Sequence, residues 1–322
     1  MFGTFVPKVE REYETADGIA AFEEQPPHVL LLGSSYVRSF GPVVEAVARE
    51  HPGRTLSMVP IEGGRFLSYQ WLLEHRIGPL IDQNKERADA PRLERIVLVT
   101  NLWDACGDDD YPNLPARAWT LGDYVSDLFE HGVTAYNSNY VDWHVSEATR
   151  WSVLAQDRGV HRIPQAVRRA ISPKQTETLA EDKETRVQGS IDIIAECDLE
   201  GPKCDSRVQL AALQGIADFA RARQLPLTVV LWPTMPITMA DKSRRAVDHF
   251  RAKIQELAPS LHAEVFDWSY ASPLVDADFR PDYDHLEPWG DEKFGRWAMQ
   301  GPLASQLRSE PELSQGQLPA AP

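Results

Sequence analysis

The chain has 322 residues, 43% of them hydrophobic and 25% charged, an ordinary globular composition with room for one large α/β domain. Its formal net charge is -15, and an anionic field of that size disfavours nonspecific binding to nucleic acid or to an anionic membrane surface. Mean hydropathy is -0.37 and no apolar run reaches the ~18 residues of a membrane span, so neither a nucleic-acid partner nor a membrane span is expected. The first residues, Met1 to Lys8, lack a basic stretch followed by an apolar core. That pattern favours the cytoplasm, or export where a signal precedes this sequence.

Residues 1–27 read as a polar lead-in that closes on Pro26-Pro27. The run from His28 to Leu32 is apolar without interruption, as in a strand buried on both faces of a parallel sheet. Ser35 to Glu50 is expected to be helical, with Gly41-Pro42 distorting or restarting it. A second strand over Thr55 to Pro60 leads to Gly63-Gly64 and a helix from Phe66 to Gln83. The third strand, Arg95 to Thr100, ends at Asn101. The alternation then breaks, and residues from about 102 to 204 read as an insertion of helices and loops. Within it, helices are expected over Leu121 to Glu130, Val145 to Ala155 and Thr176 to Cys197. Regularity returns with a helix over Arg207 to Gln224, a strand over Leu225 to Trp232, a helix over Met239 to Leu257, a strand over Ala263 to Trp268 and a last helix over Asp291 to Leu307. The tail 310–322 is rich in Pro, Gln and Ser and is expected to be disordered. The α/β domain therefore spans 28–309. Its five strands separated by helices predict a doubly wound parallel sheet, which binds ligands at the carboxyl ends of its strands.

The candidate chemistry falls at those ends. Gly33-Ser34-Ser35 follows the first strand, and Gly33 lets the chain turn sharply there. A helix starting at Ser35 would aim free backbone N–H groups at an anion, although two serines before a helix also suit a plain cap. Far along the chain, Asp282-Tyr283-Asp284-His285 offers an imidazole with a carboxylate three residues before it. Serine, histidine and aspartate supply a nucleophile, a general base and a group that orients the base. Asp284 competes with Asp282, and Asp276 and Asp278 are weaker candidates for the orienting role. Asn101 and the N–H of Gly63 or Gly64 can join the Ser35 N–H as oxyanion donors; each also suits an ordinary turn.

The order of these blocks resembles the SGNH hydrolases, the GDSL esterase/lipase superfamily. Their blocks run Gly-Asp-Ser, a Gly, Gly-x-Asn-Asp and Asp-x-x-His. Here they correspond to Gly33-Ser34-Ser35, Gly63-Gly64, Val99-Thr100-Asn101 and Asp282 with His285. The resemblance implies a three-layer flavodoxin-like fold, with Ser35 as nucleophile, His285 as base and Asp282 as orienter. It implies no metal and no organic cofactor. Ser34 stands where that family has Asp, Val99 where it has Gly, and Leu102 where it has the second Asp. The Gly-Ser-Ser start is closer to the acyltransferase-associated branches, which include alginate O-acetylation and cell-wall D-alanylation proteins. The expected activity is ester hydrolysis or O-acyl transfer on a small-molecule or carbohydrate O-acyl ester. The alternative is a non-hydrolytic binding module that serves a partner protein of an acyl-transfer complex. A phosphate-binding protein is a third class, disfavoured by the absence of Gly-rich phosphate motifs. Nothing in the sequence sets the oligomeric state.

Other features carry blander expectations. Cys197 and Cys204 flank a turn and suit free thiols better than a disulfide. Asp108-Asp109-Asp110 reads as a solvated acidic loop rather than a calcium site. Trp103, Trp119, Trp143 and Trp151 suit burial in a helical subdomain more than a sugar cleft. His144 and His161 read as structural. The segment Trp232-Pro233-Thr234-Met235-Pro236 is placed to wall a substrate pocket.

Overall fold

A computed structural model describes residues 14–61, 63–85, 91–106, 175–280 and 285–308, with a few positions between 124 and 141. Five strands, β1 (Val29–Gly33), β2 (Leu56–Pro60), β3 (Arg95–Thr100), β4 (Leu227–Leu231) and β5 (Ala263–Asp267), form one sheet in the order β2-β1-β3-β4-β5. Every pairing is parallel.

The alternation of side chains along each strand divides the core in two. Leu30, Leu32, Ile96, Leu98, Val229 and Leu231 face one layer of helices: α1 (Glu14–Glu24), α3 (Phe66–Leu72), α4 (Gly78–Asn84), α5 (Gln175–Glu196), α6 (Arg207–Ala222) and α7 (Asp241–Leu261). Val29, Leu31, Val97, Val99 and Val230 face the other: α2 (Gly41–Glu50), α8 (Pro288–Ala298) and α9 (Pro302–Arg308). A parallel sheet covered on both faces needs apolar residues at every position, which is why the central strands read as unbroken runs. The result is the expected three-layer flavodoxin-like α/β fold.

Local departures have local causes. The 1–27 lead-in contributes α1, whose Ile19 and Phe22 are buried in the core and whose Thr15 hydroxyl donates to the Pro60 carbonyl at 2.6 Å. The helix expected from Phe66 to Gln83 is one rod broken by a π-helical turn over Leu73–Ile77. Pro79 lacks an N–H, and its ring displaces the carbonyl four residues before it, so the ladder widens just upstream. The last helix divides at Gln300-Gly301, ahead of Pro302.

The inner part of the anticipated insertion belongs to the domain body. Helix α5 appears where Thr176 to Cys197 predicts one, and its Ile194 is fully buried. Cys106, Cys197 and Cys204 are buried thiols outside any disulfide. A hydrogen bond with Cys197 and burial both push the Cys106 thiol up. Asp108 to Asp110, Trp119, Trp143, Trp151, His144, His161, the expected helix Val145 to Ala155 and the tail 310–322 lie outside the described residues.

Candidate active site

The strand order reverses between β1 and β3, because the chain leaves β1 for β2 on one side and later continues to β4 and β5 on the other. That reversal opens a crevice beyond the carboxyl ends of these two adjacent strands. Ser35 follows β1 and Asn101 follows β3, so both stand at its mouth.

The turn after β1 depends on glycine. A Cβ on Gly33 would lie 2.5 Å from the Val99 carbonyl oxygen, closer than real Cβ contacts come. Glycine therefore allows β1 to run tight against β3 before the chain bends. Ser34 is extended (φ -72°, ψ -166°), and a 3-10 helix, Ser35–Phe40, replaces the first turns of the expected helix. Its first internal bond is Val37 N–H to the Ser34 carbonyl, 3.1 Å, so the Ser35 N–H heads the turn with no backbone partner among the described residues. Tyr36 stacks on Trp232 with ring centroids 5.6 Å apart, and Phe40 packs edge-on against Phe294 at 5.2 Å. This aromatic floor fixes the serine turn from below. Trp232 and Met235 are buried in it and support the serine turn.

Ser35 Oγ lies 2.6 Å from His285 Nε2, across 250 residues of sequence. The backbone on either side of the histidine is pinned. Phe279 and Leu286 form an antiparallel bridge, Arg280 N–H donates to the His285 carbonyl at 2.9 Å, and Glu287 N–H donates to the Asp278 carbonyl at 2.9 Å. Asp278 is buried and takes the Lys293 ammonium at 2.6 Å and the Val275 N–H at 2.8 Å. Asp276 accepts from the Ile237 N–H at 2.7 Å. Both weaker candidates for the orienting carboxylate are thus engaged in holding the loop. Asp282 and Asp284 lie outside the described residues.

Sequence reading missed one further carboxylate beside the histidine. Asp291, in the first turn of α8, has its acidity weakened by burial; a Ser39 hydrogen bond and the fields of Arg280 and His285 act the other way. As a residue at the start of an amphipathic helix it carries no signal that distinguishes it from an ordinary cap.

The anticipated oxyanion donors divide unequally. The Gly64 N–H donates to the Ile61 carbonyl at 2.8 Å, closing the turn after β2, which leaves Gly63, at φ +62°, as the amide of that pair with no partner among the described residues. Such a left-handed φ is one that glycine adopts without a steric cost. Asn101 is buried; its side-chain oxygen accepts from the Trp103 N–H at 2.9 Å, so its Nδ2 amino group is the end left to donate.

Behind these donors lies a buried polar knot that the sequence did not reveal. Asp104, in the 3-10 turn Leu102–Ala105, accepts the Tyr36 hydroxyl through a very short hydrogen bond and the Asn101 N–H at 3.2 Å. Its other oxygen is 3.2 Å from the Tyr69 hydroxyl, which also reaches the Gly64 carbonyl at 3.0 Å. Burial pushes the Asp104 carboxyl up to about 7, against hydrogen bonds that favour its charged form.

Among the described residues, no group of three or more His, Cys, Asp and Glu side chains could hold a metal ion, and no helix is long and apolar enough to cross a membrane. No family model matches the chain, and no curated protein matches it.

Proposed function

We propose that the chain is a serine-dependent esterase or O-acyltransferase of the SGNH type, acting on a short acyl group such as acetyl. The observation that carries the reading is the 2.6 Å contact between Ser35 Oγ and His285 Nε2 at the carboxyl edge of the sheet. A nucleophile and base within hydrogen-bond reach is the geometry acyl transfer requires. A binding module with an averted histidine would lack it.

In this mechanism Ser35 Oγ attacks the ester carbonyl carbon while His285 Nε2 takes its proton. Asp282 accepts the hydrogen on the far ring nitrogen and steadies the imidazolium. The tetrahedral oxyanion is held by the Ser35 N–H, the Gly63 N–H and Asn101 Nδ2, each worth ~3 kcal/mol of transition-state stabilisation. Collapse breaks the bond to the leaving alkoxide, which leaves with the proton from His285. Water or an acceptor hydroxyl, deprotonated by His285, then releases the acyl group from Ser35. Hydrolysis and transfer share the first half of this sequence and differ only in the second nucleophile.

A fluorophosphonate probe tests the reading directly. Wild-type protein is expected to be labelled stoichiometrically at Ser35, with labelling lost in Ser35→Ala. Folded wild-type protein that resists probes of several sizes would overturn it.

A further inference from the structure

We infer that Trp289, with Ile237 and Val275, forms an apolar shelf that binds the alcohol portion of the ester, so the hydroxyl partner of the reaction carries an alkyl or aryl body. The inference rests on the esterase reading above and deepens it by naming the substrate class.

Strand order sets the layout. Along the carboxyl edge the connections follow the sheet: Gly63 beyond β2, Ser35 beyond β1, Asn101 beyond β3, Ile237 beyond β4 and Val275 beyond β5. The proposed oxyanion donors therefore occupy one half of the edge. The other half carries Ile237 and Val275, each 52% exposed, and Trp289 is 57% exposed beside them. At ordinary strand spacing β5 lies ~14 Å from β1, a span that the body of a small alcohol can cover.

These three side chains are gathered around one element, the 3-10 turn Asp276–Asp278. Val275 directly precedes it. The Ile237 N–H donates to Asp276 Oδ1 at 2.7 Å, and the Trp289 Nε1–H donates to the Ala277 carbonyl at 3.1 Å. The turn is in turn tied to the His285 segment, because the Glu287 N–H donates to the Asp278 carbonyl at 2.9 Å. Exposed apolar side chains standing singly are ordinary, whereas a contiguous group points to a ligand or a partner. The indole hydrogen bond has two effects. It fixes the ring, so little side-chain freedom is left to lose on binding, and it occupies the ring's one polar hydrogen. Asp276 is engaged by Ile237, and Asp278 by Lys293 and Val275. The shelf thus presents apolar surface that suits hydrocarbon. Hydroxyl groups pressed against it would lose water without a replacement.

The chemistry selects the occupant. The carbonyl oxygen turns towards the donors at Gly63 and Asn101. The alkoxide leaves with the proton from His285, so it departs on the histidine's side. An acceptor hydroxyl gives its proton to the same Nε2 and arrives by the same side. Trp289 is four residues beyond His285, ~14 Å away at full stretch, so the shelf lies where the substituent on that oxygen extends.

The test compares two acetyl esters whose alcohols have chains of equal length, heptyl acetate and diethylene glycol monomethyl ether acetate. Alcohol release is followed with hydroxylamine present as acyl acceptor, so that a hydrolase and a transferase both turn over, and each rate is divided by that of the ester in alkali. Wild type is expected to favour the heptyl ester at least ~10-fold in kcat/KM. Trp289→Ala should bring the ratio to within ~2-fold, and Ile237→Ser, a surface change with little effect on folding, should lower it by a smaller factor. A ratio near one in wild type, or one unchanged in both variants, overturns the inference, while fluorophosphonate labelling of Ser35 upholds the esterase reading. Equal losses on both esters in Trp289→Ala would mean that the indole only braces the His285 segment, and would overturn it too. Wild-type protein that is unlabelled and inert towards both esters overturns the esterase reading, and the shelf with it.

Discussion

At the amino edge of the sheet, Arg54 is buried and donates to the Leu307 carbonyl at 2.6 Å while pairing with Glu94 at 2.7 Å. Beside it, Arg95 donates to Thr228 and Gln306, each at 3.0 Å. At the carboxyl edge of the same strands, Asp104 meets the Tyr36 and Tyr69 hydroxyls and the Asn101 peptide N–H. Both edges bury polar side chains, but with different partners. A guanidinium paired with a carboxylate ties α9 to the strands. An acid among hydroxyls changes charge near neutrality. The first arrangement fastens the fold, and the second suits a place where the local field matters to a reaction. The comparison makes a simple forecast: changes at the amino edge should lower stability, and changes at the carboxyl edge should lower rate.

The sharpest test is His285→Ala. Loss of the base should slow Ser35 acylation by ~10⁴-fold or more, with an unfolding midpoint in urea close to that of wild type. A matching loss of stability would break the comparison. Next comes the pH dependence of stability. The folded-state pKa of Asp104 is raised from the ordinary carboxylate value to about 7, so its favourable contribution is complete below about pH 4 and is lost as pH rises to about 7. Across that window Asp104→Asn should gain on wild type by up to ~1.4 kcal/mol per pH unit, levelling above pH 7. Paired denaturant melts from pH 4 to 8 would reveal it, and a constant difference would contradict it. At the opposite edge, Arg54→Ala leaves Glu94 without its cation and should cost ~3 kcal/mol of folding stability, with kcat/KM per folded molecule unchanged. The smallest expected effect is Asn101→Ala. Its loss should lower kcat by ~100-fold with little change in KM, measured on a small acetyl ester, and a change confined to KM would remove Asn101 from the oxyanion hole.

The legible parts of this protein are those that repeat a local rule. Val29 to Leu32 and Ile96 to Val99 are buried on both faces, and only uninterrupted apolar side chains satisfy that environment. The first of these strands ends at Gly33 and the second just before Asn101, so the site's address could be read from where the runs stop. The pairing of Ser35 with His285 was legible by chemistry and block order, since no spacing spans 250 residues. The Asp104 knot was not legible. Tyr36, Tyr69 and Asp104 sit on three different elements, and each has an ordinary local role as an aromatic or a capping residue. Their meeting is set by how α3 and the two 3-10 turns pack. Helix α1 was missed for a related reason: its apolar face is narrow, and the residues that anchor it, Thr15, Ile19 and Phe22, make sense only against the sheet.

That N-terminal helix has a consequence for the chain in the company of its own copies. Among the described residues, β2 is the outermost strand on its side and pairs only with β1. The Ile61 N–H points inward to the Gly33 carbonyl, so by alternation the Pro60 carbonyl points outward, and it is this oxygen that Thr15 of α1 occupies. A bare outer strand is a template on which another extended chain can add. Helix α1 closes that template at its carboxyl end, and a chain lacking residues 1–25 should form aggregates in which β2 has found a new neighbour.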